Sequence, residues 1–329
     1  MTKAIQFSSF GVPHDVAELV DLPEPGKPGP GEVVIDMEAA AINPADLLQL
    51  EGRYGTERPP LPSIGGGEGV GIVRECGEGV THLRPGDRVL MLFAARGNWR
   101  SATLAKAARL FPLPPADPQQ LAMLTVNPAT ALVMLKTFVD LKAGDWVIQN
   151  AANSGVGHNL IKLAKKLGFR SLNVVRRAEL ADALKAEGAD EVLVDGPDLA
   201  ARVRAITGKD ALPKLGIDCI GGEGTRRIAG TLAEGGTVVN YGLLSGQPCM
   251  VDAADTVFRN IALRGFWLVR WFASATPQDI QKTYAELTAM VVDGTIHVPV
   301  EATYPLAQYK AALAHAAREG RSGKILFTP

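Results

Sequence analysis

Cysteine is scarce in this sequence, net charge is almost absent, and long uncharged apolar runs are missing. Only three cysteines, Cys76, Cys219 and Cys249, occur among the 329 residues, and they form no CxxC pair. A disulfide framework or a cysteine-rich zinc lobe is therefore not expected, and a reducing cytoplasm fits best. The net charge of −1 favours neither nucleic acid nor an anionic membrane as a partner. No apolar run reaches the roughly 20 residues that cross a bilayer, and Met1 leads into a strand-like segment without a signal core.

Several catalytic motifs are absent as well. The chain has neither the GxSxG nucleophile elbow nor the GxxxxGK[ST] phosphate loop. No HExxH or other metal-ligand spacing is present, because the histidines are scattered at positions 14, 82, 158, 297 and 315. We therefore predict no metal site.

The patterning of what remains predicts two domains. Residues 1–125 hold short apolar segments, such as 32–41 and 69–75, separated by Gly/Pro clusters typical of a small barrel or sandwich. Strands then alternate with helices, which predicts a parallel sheet covered on both faces. The six candidate strands are 145–150, 171–175, 191–194, 215–220, 236–241 and 261–267.

The last sixty residues are expected to return to the first domain. A helix over 277–292, an extended piece over 297–304, a helix over 306–319 and a strand over 324–327 complete the pattern. We therefore predict one domain from residues 1–125 and 270–329, and a second from residues 126–269.

A glycine-containing turn follows the first strand of the second domain. The text WVIQNAANSGVG places Gly155 and Gly157 directly before a helix, where they allow the backbone to approach a pyrophosphate. The helix N-terminus adds free N–H groups and a partial positive charge. The full GxGxxG is missing, and GVG alone also fits an ordinary strand–helix turn. The strand before it, the helix after it and the further alternations favour a dinucleotide site.

Two arginines occupy a position where an NAD enzyme often has a carboxylate. Arg176 follows Gly155 by 21 positions, at the end of the second predicted strand, and Arg177 comes next. A carboxylate would repel a 2′-phosphate, whereas a guanidinium can bind one through two hydrogen bonds. The pair therefore favours NADPH over NADH, although two solvated surface arginines remain an alternative.

With these residues in place, the chain resembles the medium-chain dehydrogenase/reductase superfamily over essentially its whole length. The resemblance implies an α/β protein with a GroES-like, β-rich catalytic domain and an inserted Rossmann domain, a doubly wound parallel six-stranded sheet. Zinc-dependent members have a Cys in the region that reads AINPADLLQLEG here, and a His where Gly67 stands in GGGEGVG. The chain is therefore similar to the zinc-independent, quinone-reductase-like members.

Within that group the text looks most like the mitochondrial-type 2-enoyl thioester reductases. The shared segments are INPAD (42–46), GNWR (97–100), VNPATA (126–131), VIQNAANSGVG (147–157), NVVR (173–176) and LRGFWL (263–268). The resemblance implies that Tyr54 is the proton donor. It implies cofactor contacts at Asn127, Asn153, Ser154, Gly155, Val156, Arg176, Arg177, Tyr241, Gly242, Leu243, Leu244, Phe266, Trp267 and Leu268, and, after a one-residue shift, at Lys324.

The activity implied by this resemblance is NADPH-dependent reduction of the C2=C3 double bond of a 2-enoyl thioester, carried by coenzyme A or an acyl carrier protein, in fatty acid metabolism. An NADPH:quinone oxidoreductase or a general enone reductase is the alternative, and a nicotinamide-binding protein without turnover is a third. Trp99, Trp267 and Trp271 either line an acyl tunnel or belong to a core or dimer interface. An apolar strand at 261–267, near the edge of the sheet, predicts a homodimer.

Overall fold

The computed structural model of the protein describes residues 1–92 and 97–329. This part of the chain forms two compact units, Met1–Val126 with Ala275–Pro329 (unit 1) and Asn127–Ser274 (unit 2). The sequence placed the two boundaries after residues 125 and 269, and the assignment of the units as catalytic and cofactor-binding domains stays a prediction. Of the helices described, none is both long and apolar enough to span a membrane.

Unit 1 is built mainly from antiparallel strands. Its first part contains β1 (Thr2–Phe7), α1 (Pro13–Val16), β2 (Ala17–Leu22), β3 (Glu32–Ile42), α2 (Pro44–Leu50), β4 (Ser63–Ile64), β5 (Gly69–Cys76), β6 (Arg88–Met91), β7 (Ala102–Lys106), β8 (Leu110–Leu113) and α3 (Pro118–Leu121). Two strands from the end of the chain, β15 (Val300–Tyr304) and β16 (Lys324–Phe327), also belong to this unit. Among the described residues, the larger sheet runs β15-β16-β3-β5-β6-β8, with β7 also paired to β3, and a smaller sheet runs β2-β1-β4.

Unit 2 contains the alternating strands and helices that the sequence predicts. Its elements are α4 (Asn127–Thr137), β9 (Trp146–Gln149), α5 (Gly155–Leu167), β10 (Arg170–Val175), α6 (Ala181–Ala186), β11 (Glu191–Val194), α7 (Leu199–Thr207), β12 (Leu215–Asp218), α8 (Glu223–Thr231), β13 (Thr237–Asn240), α9 (Ala253–Phe258), β14 (Ala262–Gly265) and α10 (Leu268–Ser274). The strands form one parallel sheet in the order β11-β10-β9-β12-β13-β14. The predicted doubly wound six-stranded sheet is therefore confirmed, with its order reversing between β9 and β12, where such sheets bind ligands.

The chain then returns to unit 1 through α11 (Pro277–Val292), β15 (Val300–Tyr304), α12 (Tyr309–Ala317) and β16 (Lys324–Phe327). Strand β16 pairs with both β15 and β3, so the two ends of the sequence share one sheet.

Phe327 is fully buried and its ring lies 5.3 Å from that of Trp99, edge to face. Trp99 is itself fully buried, and its indole N–H donates to Ala41 O at 3.1 Å. Trp99 is thus a core residue, and the acyl-tunnel alternative is wrong for this tryptophan.

The carboxylate of Glu301 fastens the loop that leads into β16. One oxygen pairs with His315 Nε2 at 2.7 Å, and the other accepts the amides of Ser322 and Gly323 at 2.6 and 3.1 Å. Partial burial alone would raise the pKa of Glu301, but the hydrogen bonds from His315, Ser322 and Gly323 outweigh it and lower the pKa to about 2. The ionised form is therefore the one that the folded chain binds.

The Glu301 carboxylate predicts a pH-dependent contribution to stability. Because its pKa is below the ordinary value of 4.5 in the folded chain, the contribution is fully present above pH 4.5 and is lost as the pH falls towards about 2. We expect Glu301→Gln to lower the thermal midpoint at pH 7, and the difference from wild type to shrink across that acid range. Thermal unfolding followed by circular dichroism checks this, with the exposed Glu78→Gln as control. A difference that is constant with pH would contradict it.

Candidate cofactor site

The turn between β9 and α5 has the geometry of an anion-binding turn. Ser154 is the N-cap of α5, and its Oγ accepts the amide of Gly157 at 3.1 Å. The amides of Gly155 and Val156 begin the helix, where no carbonyl of an earlier helical turn exists to accept them. They are the groups that a pyrophosphate would bind.

The two glycines of this turn serve different purposes. A Cβ at Gly157 would lie 2.3 Å from the carbonyl oxygen of Ala152. This glycine therefore allows the first turn of α5 to lie against the backbone of the preceding loop. A Cβ at Gly155 would lie 3.0 Å from Nδ2 of Asn127, the buried first residue of α4. The structure thus brings the predicted residues Asn127 and Gly155 together. Ala151, which precedes both glycines of the turn, adopts a left-handed backbone with φ of 49°, a costly conformation for alanine.

Arg176 and Arg177 are exposed at the carboxyl end of β10, beside the same turn. Strand β10 is hydrogen-bonded directly to this turn, because the amide of Ala152 in the turn donates to Val174 O at 3.2 Å. Arg177 Nε lies 3.5 Å from the Glu179 carboxylate, but both side chains are exposed, so the pair is weak. The two guanidinium groups can therefore receive an anion at this edge of the sheet.

The segment Tyr241–Leu244 follows β13 and reaches back to the phosphate turn. The Tyr241 hydroxyl hydrogen-bonds to Cys219 and Ser154, and burial raises the pKa of Tyr241 well above its ordinary value. A Cβ at Gly242 would lie 2.6 Å from Cys219 O, so only glycine fits there. Leu243 and Leu244 are 62% and 58% exposed, which leaves two apolar side chains for a ligand to cover.

The segment 266–268 joins the last strand of the sheet to α10. The amide of Phe266 donates to Asn240 O at 2.8 Å, and its ring packs edge to face on Phe138 at 6.1 Å. Leu268 is buried and Trp267 is half-buried. Asn153 is half-buried in the turn itself.

One residue that the sequence reasoning missed organises this edge of the sheet. Asp218, the last residue of β12, is fully buried, and its Oδ1 accepts Asn150 Nδ2 at 2.6 Å and the amide of Ile220 at 2.9 Å. Its Oδ2 accepts Thr225 Oγ1 at 2.6 Å and Asn240 Nδ2 at 2.9 Å. Asp218 therefore ties together the ends of β9, β12 and β13. The motif DCIGG gave no signal of this, because the partners lie far away in the sequence.

The two remaining predicted residues lie in unit 1. Tyr54 is half-buried in the segment after α2, next to Arg53, whose guanidinium is 2.8 Å from the Glu51 carboxylate. Lys324 is the first residue of β16 and is 7% exposed, and its ammonium donates to Asn43 Oδ1. Their roles as proton donor and cofactor contact stay predictions.

Gly67, where the resemblance places a histidine in zinc-dependent members, is packed against Asp46. The amide of Gly67 donates to Asp46 Oδ1 at 2.8 Å, and a Cβ at Gly67 would lie 3.1 Å from that same oxygen. A side chain at this position would therefore require the Asp46 carboxylate to shift by a few tenths of an ångström. Outside residues 93–96, no group of three or more His, Cys, Asp or Glu side chains is placed to hold a metal ion.

Comparison with known proteins places this geometry in a family. Residues 29–115 match the alcohol dehydrogenase GroES-like domain, and residues 155–298 match the family described as zinc-binding dehydrogenase. The chain is 36% identical over 331 residues to a mitochondrial enoyl-[acyl-carrier-protein] reductase of Homo sapiens, covering 99% of this chain and 88% of that protein.

Two solved structures are similar over the full chain. One is a provisionally named NADPH:quinone reductase from Bacillus thuringiensis, with a TM-score of 0.90 and 32% identity, covering 100% of this chain and 99% of the other. The second is a mitochondrial 2-enoyl thioester reductase heterodimer from Candida tropicalis, with a TM-score of 0.89, 25% identity and the same coverage. The chain therefore belongs to the medium-chain dehydrogenase/reductase superfamily, in the family that includes these enoyl and quinone reductases.

Proposed function

We propose that this protein reduces the C2=C3 double bond of 2-enoyl thioesters with NADPH. The observation that carries the proposal is the exposed Arg176 at the end of β10. Val174 of the same strand is hydrogen-bonded to the turn at Ala152, and that turn presents the amides that begin α5. A guanidinium at this position suits the 2′-phosphate that distinguishes NADPH from NADH. The similarity to enoyl reductases supports the acyl substrate, in either its coenzyme A or its acyl-carrier-protein form, and a place in fatty acid metabolism.

The residues of the chain divide the work of binding and proton transfer. The amides of Gly155 and Val156 bind the pyrophosphate, and Arg176 with Arg177 binds the 2′-phosphate. When bound, NADPH supplies the hydride that adds to the β-carbon of the substrate. Negative charge then develops on the thioester oxygen, and Tyr54 donates a proton to the α-carbon. Asn127, Tyr241 and the segment 266–268 orient the cofactor.

Quinone reduction is the second candidate activity, and one specific observation favours it. The chain is 32% identical to the provisionally named NADPH:quinone reductase from Bacillus thuringiensis. Both activities use NADPH, so only the electron acceptor separates them. Rates of NADPH oxidation with crotonyl-CoA, a long-chain enoyl-CoA and a quinone, measured in parallel, distinguish the two.

Location in the cytoplasm stays a prediction from composition, and the human relative is named as mitochondrial.

Arg176 gives the first test. A charge-assisted hydrogen bond contributes about 1.5–3 kcal/mol, so its loss corresponds to a weakening of binding by about 10- to 150-fold. We expect Arg176→Asp to raise the KM for NADPH by about that factor while changing the KM for NADH little, because only NADPH carries the 2′-phosphate. Steady-state kinetics with both coenzymes measure this, with the exposed Arg204→Asp as control. Equal changes for the two coenzymes would show that Arg176 binds no 2′-phosphate.

Tyr54 gives the second test. Removal of a general acid typically costs about 10²- to 10⁴-fold in rate, so Tyr54→Phe should lower kcat for crotonyl-CoA by about 100-fold or more. Quinone reduction should persist, because it does not require a proton at a carbon atom. Tyr304→Phe, which removes only the hydrogen bond to His315 at 2.9 Å, serves as control. If enoyl reduction survives in Tyr54→Phe, the proton has another source.

We also propose that the protein is a homodimer joined at β14. This strand ends the sheet order, all four of its residues are exposed, and Leu263 within it is 42% exposed. Val257 and Phe258, on the preceding helix, are 70% and 79% exposed. An apolar strand at the edge of a sheet is normally covered, and a second copy of the same strand would cover it.

The dimer proposal predicts a change of mass. Leu263→Lys combined with Phe258→Asp places charges on the apolar edge, so we expect a dimer of wild-type chains and a monomer of the variant. Light scattering coupled to gel filtration measures both. Leu104→Lys, which changes a leucine 40% exposed on strand β7, is the matched control and should remain dimeric. A monomeric wild-type chain would exclude the dimer.

A further inference from the structure

A row of hydrogen bonds connects three buried polar side chains of unit 1. The ammonium of Lys324 donates to Asn43 Oδ1, and Asn43 Nδ2 donates to Glu68 Oε1 at 2.7 Å. The second oxygen of Glu68 accepts the amide of Val126 at 2.8 Å. Lys324, Asn43 and Glu68 are 7%, 3% and 0% exposed. We call these three side chains the relay.

The chemistry of each group fixes the direction of the relay. An ammonium only donates hydrogen bonds and a carboxylate accepts them when it is ionised, so with Glu68 ionised the Asn43 carboxamide turns its oxygen to Lys324 and its nitrogen to Glu68. Asp46 holds the backbone of Asn43 in place, because its Oδ2 accepts the Asn43 amide at 2.7 Å. The other oxygen of Asp46 accepts the amide of Gly67 at 2.8 Å.

Burial makes the relay costly unless its charges compensate each other. Burial raises the pKa of Glu68 to about 7 and lowers the pKa of Lys324, while each charge favours the ionised form of the other. Replacing one partner of such a buried pair leaves an uncompensated charge. Asn43 lies between the two charges and hydrogen-bonds to both of them.

Both ends of the relay reach residues predicted to contact the cofactor. Lys324 is one of them. Val126 is followed directly by Asn127, which begins α4 and lies against Gly155 of the phosphate turn. A second hydrogen bond holds the backbone before Asn127, because Tyr284 Oη donates to Thr125 O at 2.8 Å.

We propose that Glu68 and Asn43 are positioning residues for NADPH binding. Glu68 fixes the backbone that leads into Asn127, and Asn43 holds the ammonium of Lys324 in one place. The inference rests on the proposed function only through the assignment of Asn127 and Lys324 as cofactor contacts, and it is independent of the acyl substrate.

Single substitutions disturb the relay although they barely change its shape. In Glu68→Gln, two donors, the Val126 amide and Asn43 Nδ2, face a group with a single acceptor oxygen, so one donor meets the new NH₂ group. In Asn43→Asp, two carboxylates face each other. We expect each variant to raise the Kd for NADPH about tenfold or more, because a buried polar group is left unsatisfied.

The double variant exchanges the two groups and restores the pattern. In Asn43→Asp with Glu68→Gln, the new carboxylate accepts from Lys324 and from the side-chain NH₂ of the new glutamine, and the glutamine oxygen accepts from Val126. The net charge is the same as in wild type. Asn43 is the N-cap of α2, and aspartate is as good an N-cap as asparagine. We expect the Kd for NADPH to return to within about threefold of wild type, a strong departure from additivity.

Fluorescence titration with NADPH gives the Kd of all four proteins, and thermal unfolding gives their stability. Glu38→Gln breaks the ion pair with Arg88 in the same unit, at 2.6 Å, and should lower the thermal midpoint without changing the Kd. Recovery of the Kd in the double variant supports the proposal. Single variants that bind NADPH as wild type does, or a double variant weaker than either single variant, would overturn it. A wild-type chain that binds NADPH but reduces no enoyl thioester would contradict the acyl substrate and leave these expectations unchanged.

Discussion

The buried carboxylate of Asp218 is the interaction on which the cofactor edge of unit 2 depends. The carboxyl ends of parallel strands meet at one edge of the sheet, and the loops that follow them find only some of their hydrogen-bond partners in the backbone. Side-chain and backbone donors from the ends of three neighbouring strands meet on this carboxylate. Each of them satisfies one lone pair of a charge that would otherwise be costly to bury. The carboxylate thus adds a shared acceptor to the hydrogen bonds that already link the loop after β12 to Asn150 and to the segment Tyr241–Leu244.

The same edge combines groups that attract an anion with groups that exclude water. The start of α5 and the two exposed arginines favour negative charge, while Leu243, Leu244 and the segment 266–268 are largely apolar. The contact between Tyr241 and the N-cap Ser154 joins these two regions within unit 2. A dinucleotide has this same polarity, with phosphates at its centre and a flat, weakly polar ring at one end.

Much of the fold followed from local patterns, because the strands of a covered parallel sheet are short apolar runs between Gly/Pro turns. The strand predicted over 191–194 and the helix over 277–292 agree with Glu191–Val194 and Pro277–Val292. Long-range roles were out of reach. GNWR carries part of the family resemblance, yet Trp99 within it is a core residue packed on Phe327, which lies more than two hundred positions further along the chain. Asp218 and Glu68 have partners that only the folded topology brings near, so neither stood out in the sequence.

The run Gly65-Gly66-Gly67 has a consequence for how this chain could change over generations. A Cβ at Gly65 or Gly66 would lie 2.3 or 2.5 Å from the indole of Trp99, and Gly67 is held by Asp46. The tryptophan has thus filled the room that side chains at these positions would need. A side chain at position 67 would require the Asp46 carboxylate to shift by a few tenths of an ångström, whereas one at position 65 or 66 would have to displace the indole. Close packing against Trp99 therefore restricts positions 65 and 66 to glycine in any descendant that keeps this tryptophan.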